Sequence, residues 1–217
     1  MNYIYFVGQG LCSCRKKTGD IIRIILASQS AARRGILTDF GIKAEIYVTN
    51  ADESLDGGDD LAPGMIVSEL AHRKAIKAIS DINDDSALII TADTIVAHNG
   101  KILGKPEDES DAIKTLAALS GDYHEVYSGI CVAYKNKIIR DHDVTKVKFR
   151  DIAKKEIEAY VASGDPLTKA GSYGAEGIGA AFIENIEGDF FNIAGLPVFK
   201  LAEILKKDFD LTIFDLV

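Results

Sequence analysis

Hydrophobic positions along this chain switch repeatedly between a strand period and a helix period. Ile21–Ala27 is a β-branched run of strand length, which predicts a buried strand. Ser28–Ser30 is polar. Ala31–Phe40 then takes helical spacing, with Ser30 placed to cap it and Gly41 to stop it. Ile42–Val48 reads as a second strand, and Asn50–Pro63, rich in Asp and Gly, as an acidic loop. Gly64–Ser80 returns Ile66, Leu70, Ala71, Ala75 and Ala78 at helical intervals. Ala87–Thr91 predicts a buried strand that ends just before Asp93. Ile95–Ala97 and Ile102-Leu103 flank His98-Asn99-Gly100-Lys101, where Asn-Gly suits a type I′ hairpin turn. Asp108–Leu119 is a helix ending at Ser120-Gly121. His124–Tyr134 and Lys137–Phe149 are strands around a turn at Lys135-Asn136. A helix starts at Asp151 or Ala153 and runs to Ala162. Gly164–Gly179 is a glycine-rich loop, Ala180–Ile186 a strand, and Pro197–Lys206 a helix with proline in its first turn. Helices interleave with strands, and the hairpins require antiparallel neighbours. The fold class is therefore α/β with a mixed sheet.

A chain of 217 residues suits one large domain or two small lobes and buries a core without disulfide or metal staples. An apolar fraction of 47% argues against global disorder, and no apolar run is long enough to span a membrane. The 33 acidic residues outnumber 25 basic ones, for a net charge of −8. A duplex nucleic-acid binder normally shows a basic face, so no nucleic-acid partner is expected. A small anionic substrate remains compatible, because a local basic pocket can sit on an acidic protein. Cys12 and Cys14 lack the Cys-x-x-Cys spacing of redox and zinc sites, and Cys131 sits in an apolar run. Three cysteines cannot all pair, which favours a reducing compartment and a cytoplasmic location. Residues 1–20 place their basic residues after the apolar ones. They read as an irregular extension rather than a signal peptide.

Candidate chemistry is spread over five places. At Ser28-Gln29-Ser30-Ala31-Ala32-Arg33-Arg34, a strand ends and a helix begins. Free N–H groups at a helix start attract phosphate, hydroxyls add hydrogen bonds, and arginine grips phosphate with two donors. Asp93 follows a strand and has the chemistry to hold Mg²⁺ or activate water. Gly104-Lys105-Pro106 returns a lysine towards that end. Asp52-Glu53 lies in the acidic loop, and Lys74 stands near the buried stripe of its helix. In Lys169–Gly177, three glycines, with Gly179 just beyond, allow backbone to approach a ligand closely. No histidines show metal-ligand spacing.

Taken together, Leu26-Ala27-Ser28-Gln29-Ser30, Arg33-Arg34, Ala92-Asp93-Thr94, Leu103-Gly104-Lys105-Pro106, Lys169-Ala170-Gly171, Glu176-Gly177 and Gly195-Leu196-Pro197 resemble the Maf (septum formation inhibitor-like) nucleoside triphosphate pyrophosphatases. The resemblance runs from about Ile24 to Leu205. It implies a mixed twisted sheet with flanking helices and a deep cleft between two lobes of residues 21–217, similar to the inosine triphosphate pyrophosphatase fold. It implies hydrolysis of a nucleoside triphosphate to the monophosphate and pyrophosphate with Mg²⁺ or Mn²⁺, nucleotide-pool cleansing, and a homodimer. Asp93 matches the proton acceptor. Ser28, Arg33, Lys74 and Lys105 match phosphate-facing positions, and Glu53, with Asp93, the metal side. The specificity positions Ala32, Thr94 and Glu176 are mixed. Thr94 matches the form acting on dTTP and UTP, whereas Glu176 and the spacing to Arg33-Arg34 match the form acting on 7-methyl-GTP. Ionised Glu only accepts hydrogen bonds, so Glu176 facing the base, with the Tyr173 ring beside it, would suit the paired N–H donors of guanine. The rival readings are an inosine/xanthosine triphosphate pyrophosphatase, and a non-catalytic nucleotide-sensing or nucleic-acid-binding regulator of cell division.

Overall fold

In the computed structural model, which describes residues 22–54 and 61–217, seven strands form one mixed sheet. The expected N-terminal extension and the middle of the acidic loop lie outside the described residues. The strands are β1 (Ile24–Ala27), β2 (Ala44–Tyr47), β3 (Leu88–His98), β4 (Lys101–Leu103), β5 (Tyr123–Tyr134), β6 (Lys137–Phe149) and β7 (Ile183–Glu187). Their order is β2-β1-β3-β5-β6-β7, with β4 paired to β3. β1 runs parallel to β2 and β3, and the other pairings are antiparallel. The helices are α1 (Ala31–Asp39), α2 (Pro63–Ile82), α3 (Glu109–Leu119), α4 (Lys154–Val161), α5 (Phe190–Ile193) and α6 (Val198–Phe209). No described helix is long and apolar enough to cross a membrane.

Alternation along the strands assigns the layers. Leu26, Leu88, Ile90, Ala92, Ile130 and Val132 point to one face and form a core with residues of α1 and α6. Ile25, Ala27, Ile89 and Ala133 point to the other face and pack with Ala78 of α2. Further along the first face, Val96, Val126, Val147 and Phe149 start a second core with residues of α3 and α4. Thr94 lies on this face between Ala92 of the first core and Val96 of the second, and it pairs across the strands with Ser128. The two cores are thus separated by a polar seam.

α2 comes unusually close to the sheet. A Cβ on Gly129 would lie 2.0 Å from the Val67 carbonyl oxygen. Beside it, Ala71, Ala75 and Cys131 pack together, each fully buried. Small residues on both sides set this distance.

Three expectations need correction. The strand expected to stop at Thr91 runs unbroken to His98, so Asp93 sits within β3 rather than after it. The polar run is tolerated because β5 pairs with β3 from Ile89 to Ala97 and the Thr91 hydroxyl donates to the Ala71 carbonyl at 2.6 Å. The segment Gly164–Gly179 is not an open loop. It contains 3-10 turns at Asp165–Thr168 and Ala170–Ser172, with Gly171 and Ser172 buried, and a third begins at Ile178. That third turn delays the following strand to Ile183. The four-residue helix α5 was not anticipated, being too short for periodicity.

Candidate active site

Strand pairing itself creates the site. β1 pairs with β3 only as far as Leu26 against Ile90, and β4 pairs from Val96 onwards. Between them, residues 91–95 of β3 have β5 on one side and no strand on the other. The chain leaving β1 carries Ser28–Arg33 past this gap, and the chain leaving β4 carries Gly104-Lys105. A cavity of about 950 Å³ opens here, and Ser28, Ala32, Arg33, Glu53, Lys74, Asp93, Thr94, Lys105 and Glu176 all border it. These nine candidate residues therefore reach one concavity, whereas Asp52 and Arg34 do not line it.

On the seam side, the Ser30 hydroxyl caps α1 by accepting from the Arg33 amide. The Arg33 side chain donates from Nε to the Gly195 carbonyl at 2.7 Å, from Nη1 to Ser28 Oγ at 3.2 Å and from Nη2 to Thr94 Oγ1 at 3.0 Å. All three acceptors are neutral. Desolvation draws the guanidinium below its ordinary pKa, opposed at longer range by Asp93 and Glu53. Such a cation, held by dipoles and contacted by no carboxylate, favours an incoming anion. Gly195 has φ +99°, a conformation that strains any residue with a side chain, and a Cβ there would also crowd Thr94 Oγ1 at 3.2 Å. The seam continues inward. Ser128 Oγ donates to the Asn192 carbonyl at 2.9 Å, so Thr94 Oγ1 donates to Ser128 at 2.8 Å, and Asn192 Nδ2 donates to Val126 O and Thr145 Oγ1.

Across the sheet the arrangement is different. α2 directs Lys74 Nζ to within 2.5 Å of Asp93 Oδ1 and 2.9 Å of Glu53 Oε1. The resemblance placed Lys74 on phosphate; here its ammonium is shared by two carboxylates. Asp93 opposes Gly129 in the ladder, the same residue that admits α2. Glu53 is steadied from behind, since Arg73 donates to the Ser54 carbonyl at 2.6 Å and to Glu69 at 3.1 Å. Lys105 is exposed and has no ionic partner among the described residues.

The third wall holds Glu176, whose carboxylate accepts from Lys169 Nζ. Lys169 was singled out only as part of a motif. Its role depends on a contact seven residues away that local pattern does not reveal. Tyr173 is not positioned as an open aromatic face. It is 5% exposed, packs edge-on against Phe149 and His124, and its hydroxyl is hydrogen-bonded to His124 Nε2 at 2.8 Å. Burial pushes the His124 imidazole down to about 4.

Among the described residues, no cluster of three or more His, Cys, Asp or Glu side chains could hold a metal alone. Glu53 and Asp93 still supply two hard carboxylates, held side by side by Lys74 Nζ. Such a pair fits Mg²⁺ or Mn²⁺, which commonly bind one or two carboxylates together with substrate phosphates.

Comparison with known proteins adds independent findings. The family model for Maf-like protein matches residues 23–208. A dTTP/UTP pyrophosphatase from Alkaliphilus metalliredigens is 45% identical over 193 residues, which covers 88% of this chain and 98% of the relative. Another from Aquifex aeolicus is 41% identical over 186 residues, covering 86% and 95%. A third, from Clostridium perfringens, is 42% identical over 195 residues, covering 88% and 100%.

Proposed function

The chain belongs to the Maf-like protein family, and from that premise we propose that it is a nucleoside triphosphate pyrophosphatase acting in the cavity beside β3. The observation that carries this reading is the division of charge around Asp93. Arg33 and Lys105 border the cavity with no carboxylate in contact, while Asp93 and Glu53 are anchored on Lys74. A triphosphate brings about four negative charges, which need cations that the fold has not already neutralised.

In this reading, Arg33, with Ser28 beside it, and Lys105 bind the phosphate chain, and Arg33 arrives already oriented by three neutral acceptors. Lys74 fixes the carboxylate of Asp93, which orients a water and takes its proton. The water oxygen bonds to the α-phosphorus, the bond from that phosphorus to the α–β bridging oxygen breaks, and pyrophosphate leaves. Mg²⁺ or Mn²⁺ beside Glu53 and Asp93 would neutralise phosphate charge. The relatives named for dTTP and UTP make these the first substrates to try. Removal of surplus or non-canonical nucleotides is the role such chemistry serves.

The experiment is a nucleotide panel read by pyrophosphate and monophosphate release, with and without a divalent-metal chelator. Equal amounts of both products from at least one triphosphate, abolished by chelation, are expected. Release of orthophosphate instead, or no turnover of any nucleotide, overturns the reading.

A further inference from the structure

The Lys169–Glu176 pair is built into the cavity wall more carefully than a surface ion pair requires. Both residues border the cavity. They flank Gly174, where a Cβ would lie 3.2 Å from the Glu176 carboxylate and 3.3 Å from Lys169 Cε. A side chain at 174 would therefore press on both members of the pair. The Gly174 amide donates to the Tyr160 hydroxyl at 3.1 Å, and that hydroxyl donates to Asp165 at 2.6 Å. Asp165 in turn lies 4.0 Å from Lys169 Nζ. One buried-end hydroxyl thus ties together the backbone between the pair and the carboxylate behind the lysine. Lysine stays on the Asp165 side, so the donor and the acceptor keep a fixed order.

We propose that Lys169 is a specificity-determining residue, which with Glu176 reads the lactam edge, O=C–N–H, of an oxo-base. This rests on the nucleotide reading of the cavity. A lone carboxylate is a poor match for uracil or thymine, because their single N3–H lies between two carbonyl oxygens that repel it. With Lys169 alongside, Glu176 accepts from N3–H while the ammonium donates to the neighbouring carbonyl. Guanine and hypoxanthine carry the same element as O6 and N1–H. Cytosine and adenine carry it reversed, with a ring-nitrogen acceptor beside an amino donor. The fixed order of the pair then leaves ammonium facing amino group and carboxylate facing lone pair. Mispairing buried polar groups in this way corresponds to about a 5- to 150-fold loss.

The test measures kcat/KM for UTP, GTP, CTP and ATP and, independently of turnover, Kd for UMP and CMP by calorimetry. The parent should favour UTP over CTP, and UMP over CMP, by about tenfold or more. Lys169→Met should cut both ratios at least about tenfold and lower UTP relative to GTP, whose paired N–H donors still suit a bare carboxylate. Lys169→Arg should stay near the parent. In the double variant Lys169→Met/Glu176→Gln, one carboxamide supplies donor and acceptor in either order, so kcat/KM for UTP should recover while the uracil-to-cytosine ratio stays low. An unmoved uracil-to-cytosine ratio in folded Lys169→Met, or a fully restored ratio in the double variant, overturns the proposal. A parent that binds UMP in preference to CMP but releases no pyrophosphate would overturn the proposed reaction and leave the pair standing.

Discussion

The two ends of β1 each carry an arginine, and the contrast between them separates scaffold from site. Arg23, just before the strand, makes a bidentate contact with Glu45 and a further ion pair with Asp84 at 3.0 Å. Its hydrogen bonds to these carboxylates raise its pKa, and it leaves no charge unmet. Arg33, beyond the other end, has a carbonyl and two hydroxyls as partners. One arginine closes a corner of the sheet in solvent. The other is positioned as firmly but left electrically unfinished. Residue type does not distinguish them; the charge of their acceptors does.

Substitutions should break this symmetry unequally. The largest effect is expected at Asp93, the anionic counterpart of the Arg33 end. Asp93→Asn should keep the thermal transition near that of the parent while kcat falls about 10²- to 10⁴-fold. Activity within threefold of the parent would remove Asp93 from the proton-accepting role. Next comes Arg33→Met, expected to lower kcat/KM by about 10²- to 10³-fold because a preorganised, desolvated donor set is lost. Arg23→Met is its control and should leave kcat/KM within about threefold, since surface changes of this kind act locally. Equal losses from both substitutions would erase the distinction.

A sharper form of the comparison uses His124, whose ionisation the fold opposes. Its pKa is lowered in the folded state to about 4 by burial. The unfolded chain therefore binds a proton through the range between the ordinary histidine value and about 4, where the folded chain does not. Stability should fall as pH drops through that window, by up to about 3 kcal/mol, and be fully present above it. The measurement is the denaturant midpoint against pH for parent and His124→Gln. Parallel curves between pH 7 and 4 would show that His124 is not responsible. The smallest effect belongs to the closed end of β1. Arg23→Met should lower the denaturant midpoint only slightly, and the loss should shrink further in high salt. A larger, salt-independent loss would mean that the corner is structural in a way exposed ion pairs are not.

Legibility in the sequence followed the range of the interactions. α1 could be read because its cap, Ser30, and its stop, Gly41 at φ +75°, are local signals. Asn136 in the β5–β6 turn and the Asn99-Gly100 turn show the positive φ values their residues suggest. The continuation of β3 through Asp93 was hidden, because what sustains it is β5 pairing and a helix carbonyl twenty residues earlier in the chain. The same holds for Gly195, whose carbonyl meets Arg33 across 162 positions. Tyr173 misled for the opposite reason. An aromatic residue in a glycine-rich stretch looks available to a ligand, but the ring packs against Phe149 and His124. Gathering the candidate residues around one cavity needed only that the motifs share a fold. Seeing Lys74 shared by two carboxylates, or Lys169 on Glu176, needed coordinates.

Gly129 has a consequence for how the strands find their alignment. A β-ladder held by backbone hydrogen bonds is nearly indifferent to sliding, and a slip of one residue sends every side chain to the other face. With α2 seated on the sheet, the point beneath the Val67 carbonyl accepts no Cβ at all. Sliding β5 by two positions, which would restore the faces, brings Tyr127 or Cys131 to that point, and neither fits. The ladder is thus keyed like a lock with a single blank tooth. Opposite that tooth stands Asp93, so the alignment that seats the helix is also the one that delivers the carboxylate to Lys74.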